Sequence, residues 1–137
     1  METTRSELRQ KAMTVLYQMN VYDGNKVSYQ VDDILGSVLE IDNEFVKDIV
    51  YGVITYKKDI DELANKYLNK WTIDRLGNTD QAILRMAIYE LLYTDTPDIV
   101  VINEAIELAK LYSDDKVKNM INGVLDKIYH EKVLHEW

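Results

Sequence analysis

The residues of this chain best suited to chemistry are aromatic, cationic and flat apolar groups at helical spacing. What they suit is holding an unpaired nucleic-acid strand. Tyr17 shares one side of a helix with Ser6, Gln10 and Met13, with Arg9 beside them and Arg5 at the edge. Single-stranded RNA is held where aromatic faces stack on bases and basic groups meet phosphates. Coverage of Tyr17 by another part of the chain is the competing reading, and spacing alone leaves both open. A second strip, Lys116, Met120, Gly123 and Lys127, recurs at intervals of 4, 3 and 4 near the C-terminus. Two cations, a flat apolar side chain and a glycine can receive a phosphate backbone and a base. By itself, that strip reads more simply as lysines snorkelling around an ordinary methionine.

Arg85 lies inside an otherwise apolar segment, where a lone charge is expensive. It is read as a structural ion pair with an acidic group on a neighbouring helix, Glu104 being the expected partner. Direct contact with a ligand is the alternative.

Other chemistry is missing from the pattern. His130 and His135 fall in the C-terminal tail, where no fixed scaffold is expected to hold them. Five glycines never form a phosphate-cradling loop. Acidic residues stand on polar helix faces beside lysines at i,i+3 or i,i+4, the arrangement of a solvated face rather than of a metal site or acid/base pair. No nucleophile has an identifiable base, and zero cysteines exclude disulfides, thiolate ligands and a cysteine nucleophile. The expectation is a protein that is not an enzyme and uses neither metal nor cofactor.

Charge limits the nucleic-acid reading. The net charge is −8, whereas nucleic-acid binding draws much of its affinity from phosphate neutralisation by Lys and Arg. Binding must therefore rest on a local patch, on a partner's charge, or on both. With 137 residues and 47% hydrophobic content, a single domain over residues 1–137 with a real core is expected. No window approaches ~18 uninterrupted apolar residues and no charged-then-apolar leader opens the chain, so neither a membrane span nor a signal peptide is expected. The absence of cysteine suits a reducing cytoplasm.

The elements that must position these residues are all helical. Thr79–Tyr93 places Ala82, Ile83, Leu84, Met86, Ala87, Ile88, Leu91 and Leu92 around nearly its whole circumference. A helix apolar all round is surrounded by others, so this segment is the expected hub. Thr4 and Glu7 have capping-box spacing and predict a first helix to about Tyr22, with Leu8, Ala12, Val15, Leu16 and Met19 facing inward. A second helix is read over Ser28–Glu40. A third, capped by Asp42, turns Val46, Ile49, Val50, Val53 and Ile54 inward; its periodicity runs on to Leu68, either as one long helix or as two with a bend at the polar stretch 56–61. Trp71, Ile73 and Leu76 are read as packing a short turn before the hub. A further helix opens at Pro97 and Asp98, and the last is capped by Ser113, with Val117, Ile121, Val124, Leu125 and Ile128 as its stripe. The total is about seven helices and no strand.

Three segments in this order, 82–92 (AILRMAIYELL), 101–110 (VINEAIELAK) and 122–128 (NGVLDKI), together with 12–18 (AMTVLYQ), make the chain resemble the transcription antitermination factor NusB family. The resemblance spans essentially the whole chain. It implies an all-α bacterial cytoplasmic protein of two small packed helical bundles, about 1–70 and about 71–137, around the central apolar helix 79–93. It implies binding of boxA-type single-stranded RNA as a heterodimer with NusE, a ribosomal small-subunit protein, within an RNA polymerase complex that suppresses termination in ribosomal RNA transcription. Alone, such a protein is expected to be a monomer or homodimer. The RNA-contact positions carried over are Arg5, Arg9 and Tyr17, then Asp80 and Gln81, then Lys116 and Met120. The family's dense N-terminal arginine cluster is thinned here to Arg5, Arg9 and Lys11 against Glu2 and Glu7. That thinning keeps a helical protein–protein scaffold as an alternative. A stand-alone relative of the N-terminal domain of ribosomal RNA cytosine methyltransferases is another, although no glycine-rich cofactor loop is present.

Overall fold

A computed structural model describes residues 3–135. Among them the chain forms six α-helices: α1 Arg5–Gly24, α2 Val31–Val38, α3 Glu44–Tyr67, α4 Asn78–Tyr93, α5 Asp98–Tyr112 and α6 Asp115–His135, with a 3₁₀ turn at Ile73–Arg75 between α3 and α4. Of the two possibilities for the third segment, one long helix is the one present, so six α-helices and the 3₁₀ turn stand against about seven helices expected. Residues 56–61 stay helical, and Ile60 and Ala64, fully buried, continue the inward stripe begun by Val46 and Ile49. Charged residues on the outer face do not break a helix; a kink needs proline, a bulge or an inserted group.

Helix starts follow side-chain capping. The Thr4 hydroxyl accepts the Glu7 N–H at 3.1 Å and opens α1. The cap of α3 is Asn43, not Asp42: its side-chain amide oxygen accepts the Val46 N–H at 3.0 Å. The cap of α6 is Asp114, not Ser113: its carboxylate accepts the Val117 N–H at 2.8 Å, which frees Ser113 for another role. Such caps contribute ~1 kcal/mol each. The two histidines do not lie in a loose tail, since α6 runs to His135 and carries both.

The hub is α4, which packs against α1, α3, α5 and α6. Every residue from Gln81 to Leu91 is buried. Its polar members are each answered. Gln81, Arg85 and Tyr89, four apart, form one ridge. The Arg85 guanidinium donates to Asp61 of α3 through Nε at 2.8 Å and Nη2 at 3.1 Å, and through Nη1 to Asn20 of α1 at 3.1 Å and to Gln81 at 3.0 Å. The Tyr89 hydroxyl donates to Asp48 of α3 at 3.0 Å. Arg85 is thus a structural ion pair with a neighbouring helix, but its partner is Asp61 rather than Glu104. The distance from α4 to α3 is set by Gly52, where a Cβ would stand 2.1 Å from the Tyr89 ring.

Glu104 belongs instead to a network with α1. Arg9 is 3% exposed and donates to Glu90 through Nε at 2.8 Å and Nη2 at 2.9 Å. Its Nη1 lies 3.9 Å from Glu104, which also accepts the Ser6 hydroxyl at 2.7 Å. Burial alone would push the Arg9 guanidinium down, but the hydrogen bond and charge of Glu90, aided by Glu104, outweigh it and hold it above its ordinary value. Contacts 9–90 and 20–78 make α1 antiparallel to α4.

Candidate nucleic-acid interface

Tyr17 lies on the outer face of α1 and is 41% exposed. Met13, expected beside it, turns inward and is buried, because α4 and α3 cover a wider arc of α1 than a single apolar stripe implies. One turn beyond Tyr17, the Asn20 amide donates to the Asn78 carbonyl at 2.9 Å, fastening this end of α1 to the first turn of α4. Asp80, in the same turn, accepts the Ser113 hydroxyl, which fastens α4 to the junction of α5 and α6. The first turn of α4 therefore links the Tyr17 side to the start of α6.

At that junction Asp80, Lys116 and Met120 line one cleft of about 230 Å³ together with Trp71, Arg75, Leu76, Gly77 and Val117. Lys116 is exposed, and Asp80 and Met120 are half-buried. Trp71 is 45% exposed and does not pack the turn as expected; Ile73 and Leu76 alone do so. Lys116 and Arg75 make no ion pair among the described residues, whereas Lys118, two residues on, is held 3.7 Å from Asp115. The arrangement offers flat apolar surface and unpaired positive charge within an acidic chain. That is what stacking bases and phosphates require.

The remaining expected contacts lie elsewhere. Gln81 is 9% exposed; its amide donates to the Leu76 carbonyl at 2.8 Å and its oxygen accepts from Arg85. It braces the turn behind the cleft rather than facing RNA. Arg9 is inside, its guanidinium consumed by Glu90, so it too is corrected from RNA contact to core support. Arg5 is exposed, with its guanidinium 4.1 Å from the Phe45 ring centroid. Twelve residues of helix put it about 18 Å along the axis from Tyr17, beside the opposite end of α4. Trp71, expected to pack the turn, and Arg75 join this cleft without any periodic signal in the sequence. The available signal was a tryptophan following Lys70 in a polar linker, outside any apolar stripe.

The NusB family model matches residues 6–130 of this chain. The chain belongs to the NusB family. It is similar to the transcription antitermination protein NusB of Bacillus velezensis, 40% identical over 128 residues, covering 90% of this chain and 94% of that protein. The NusB of Halalkalibacterium halodurans is 44% identical over 123 residues, covering 87% and 88%. Among solved structures, T. maritima NusB superposes with a TM-score of 0.81 at 34% identity, covering 96% of this chain and 94% of that one. A crystal structure of the antitermination factors NusB and NusE in complex with double-stranded RNA gives 0.77 at 29% identity, covering 93% and 96%. The role of this NusB-family chain is transcription antitermination. Among the described residues no helix is long and apolar enough to cross a membrane, and no group of three or more His, Asp or Glu side chains could hold a metal ion.

Proposed function

We propose that the protein is a non-enzymatic adaptor of the bacterial cytoplasm that binds boxA-type single-stranded RNA jointly with NusE, and so joins an antitermination complex on RNA polymerase during ribosomal RNA transcription. The observation that carries the reading is the linkage through the first turn of α4, with exposed Tyr17 on one side and the cleft of Lys116, Met120 and Asp80 on the other. Arg5, Tyr17, Asp80, Lys116 and Met120 remain the proposed contacts; Arg9 and Gln81 support them from within. A net charge of −8 opposes RNA through the long-range field, so the partner supplies positive charge and completes the site. The test is a fluorescence-anisotropy titration of a boxA-like RNA at several salt concentrations, with and without NusE. Affinity should rise when the partner is added and fall steeply with salt. Equal affinity in both arms would overturn this division of labour.

One observation favours a second reading, a protein–protein scaffold without RNA contact: the burial of Arg9 removes a cation from an N-terminus already thin in them. Failure of the complex with NusE to bind the RNA at low salt would select it.

A further inference from the structure

The cleft at Lys116 and Met120 does not end at those residues. Trp71 and Met120 form a shared wall between it and a second cleft of about 320 Å³, which is floored by Gly123 and edged by Lys70 and Lys127. A tryptophan has more apolar area to hide than any other side chain, and its linker neighbours Ile73 and Leu76 are hidden. Here the indole is instead held at a rim with a cationic side chain on each flank. Four cations border the two clefts, Arg75 and Lys116 on one side, Lys70 and Lys127 on the other, and none makes an ion pair among the described residues. What sets these four apart is their convergence on one tryptophan and one methionine, since ion pairing elsewhere is mixed: Lys110 meets Glu107 at 3.0 Å and Lys132 meets Asp98 at 2.6 Å. Gly123 leaves open space where a Cβ would be, so a planar group can approach the backbone of α6.

We propose that the RNA strand continues past Lys116 along α6 into this second cleft, with Trp71 stacking on a base and Lys70 and Lys127 meeting the phosphates beyond it. The inference rests on the RNA-binding reading and extends it by nucleotides outside the first cleft. Stacking supplies affinity here without choosing among bases, because every base has a π-face.

The test uses the full chain with NusE and a series of RNAs that share one boxA-like core and are lengthened one nucleotide at a time from either end. Lengthening one end should tighten binding about five- to tenfold. In a Trp137→Phe background, which leaves Trp71 as the sole tryptophan, only the lengthened RNA should quench emission. Trp71→Ala should abolish the gain on lengthening, whatever it does to the core RNA through the wall it shares with the first cleft. Gly123→Leu should do the same by filling the cleft, and its helical propensity keeps the fold intact. Lys127→Gln should lower the salt slope by about 0.7 for the lengthened RNA alone. Core RNA that binds with length-independent affinity and unchanged emission would overturn the second cleft while leaving the proposed function standing. Trp71→Ala that weakens NusE binding without altering the length dependence would overturn it in favour of a protein contact. Failure of every RNA to bind would instead overturn the functional reading beneath it.

Discussion

The two ends of α4 resolve polar side chains in opposite ways. Toward the C-terminus, Glu90 is closed by Arg9, and Tyr89 by Asp48, with both α4 side chains buried. At the N-terminal turn, Asp80 accepts a serine hydroxyl, and Lys116 and Arg75 face a cleft with no ion-pair partner among the described residues. One end uses its charges to fix how helices seat against each other; the other holds charge in reserve for a ligand. The difference teaches that a charged residue's role in this fold follows from which end of α4 it reaches, not from its type. Arg9 shares α1 with Tyr17, yet the antiparallel course of α1 delivers it to the closed end and Tyr17 to the open one.

The sharpest way to break that contrast is Arg9→Met. It leaves the Glu90 carboxylate buried without a partner, and breaking a buried pair from one side costs ~3–5 kcal/mol. At neutral pH the variant should unfold at markedly lower denaturant. The loss should shrink as pH falls, because a buried unpaired carboxylate prefers to be neutral. RNA affinity measured where the variant is folded should match the parent. A variant with parental stability and weakened RNA binding would place Arg9 at the RNA surface after all.

Tyr17→Ala is the counterpart at the open end. Removing an exposed ring that stacks on a base should cost ~1–3 kcal/mol in RNA binding and shift the melting temperature little, since the side chain fills no core space. Strong destabilisation with unchanged RNA affinity would move Tyr17 to the closed class and erase the comparison.

What could be seen in advance follows the same division. The hub at residues 79–93, the Thr4 cap and the stripe Leu8, Ala12, Val15, Leu16 and Met19 are local matters of spacing, and each is present. The strip Lys116, Met120, Gly123 and Lys127 was also visible as periodicity, and it lies along the two clefts. Met13, which is buried, and Ile54 and Trp71, which are exposed, could not be placed that way. Their exposure depends on how much of each element its neighbours cover, and for Trp71 on a linker with no period at all. The expense of a lone charge in an apolar helix singled out Arg85, and it applies equally to Glu90. Naming Arg9 as the partner of Glu90 needs the antiparallel seating of α1 on α4, which no single-helix pattern encodes. The choice of Asp61 over Glu104 for Arg85 is likewise decided by which helix lies on which side.

The smallest expected effect sharpens the closed end. Burial, then the hydrogen bond to Asp48, push the Tyr89 phenol up to about 12, against ~10 for an unfolded tyrosine. A raised folded pKa means that the contribution is fully present below the unfolded value and lost as pH climbs through the folded one. Between about pH 10 and 12 the unfolded chain gives up this proton while the folded chain keeps it, so stability falls with rising pH. Tyr89→Phe keeps the ring seated over Gly52 but lacks the hydroxyl, and should cost ~1 kcal/mol at neutral pH, the worth of one hydrogen bond. Denaturation midpoints of the two proteins should converge and then cross as pH rises from about 10 to 12, because only the parent's unfolded chain gains by releasing this proton. A gap that stays constant over that range would mean the Asp48 bond does not fasten α3 to α4, and would leave that end of the hub to the Arg9–Glu90 pair and to Lys132, which donates to the Leu91 carbonyl at 2.7 Å.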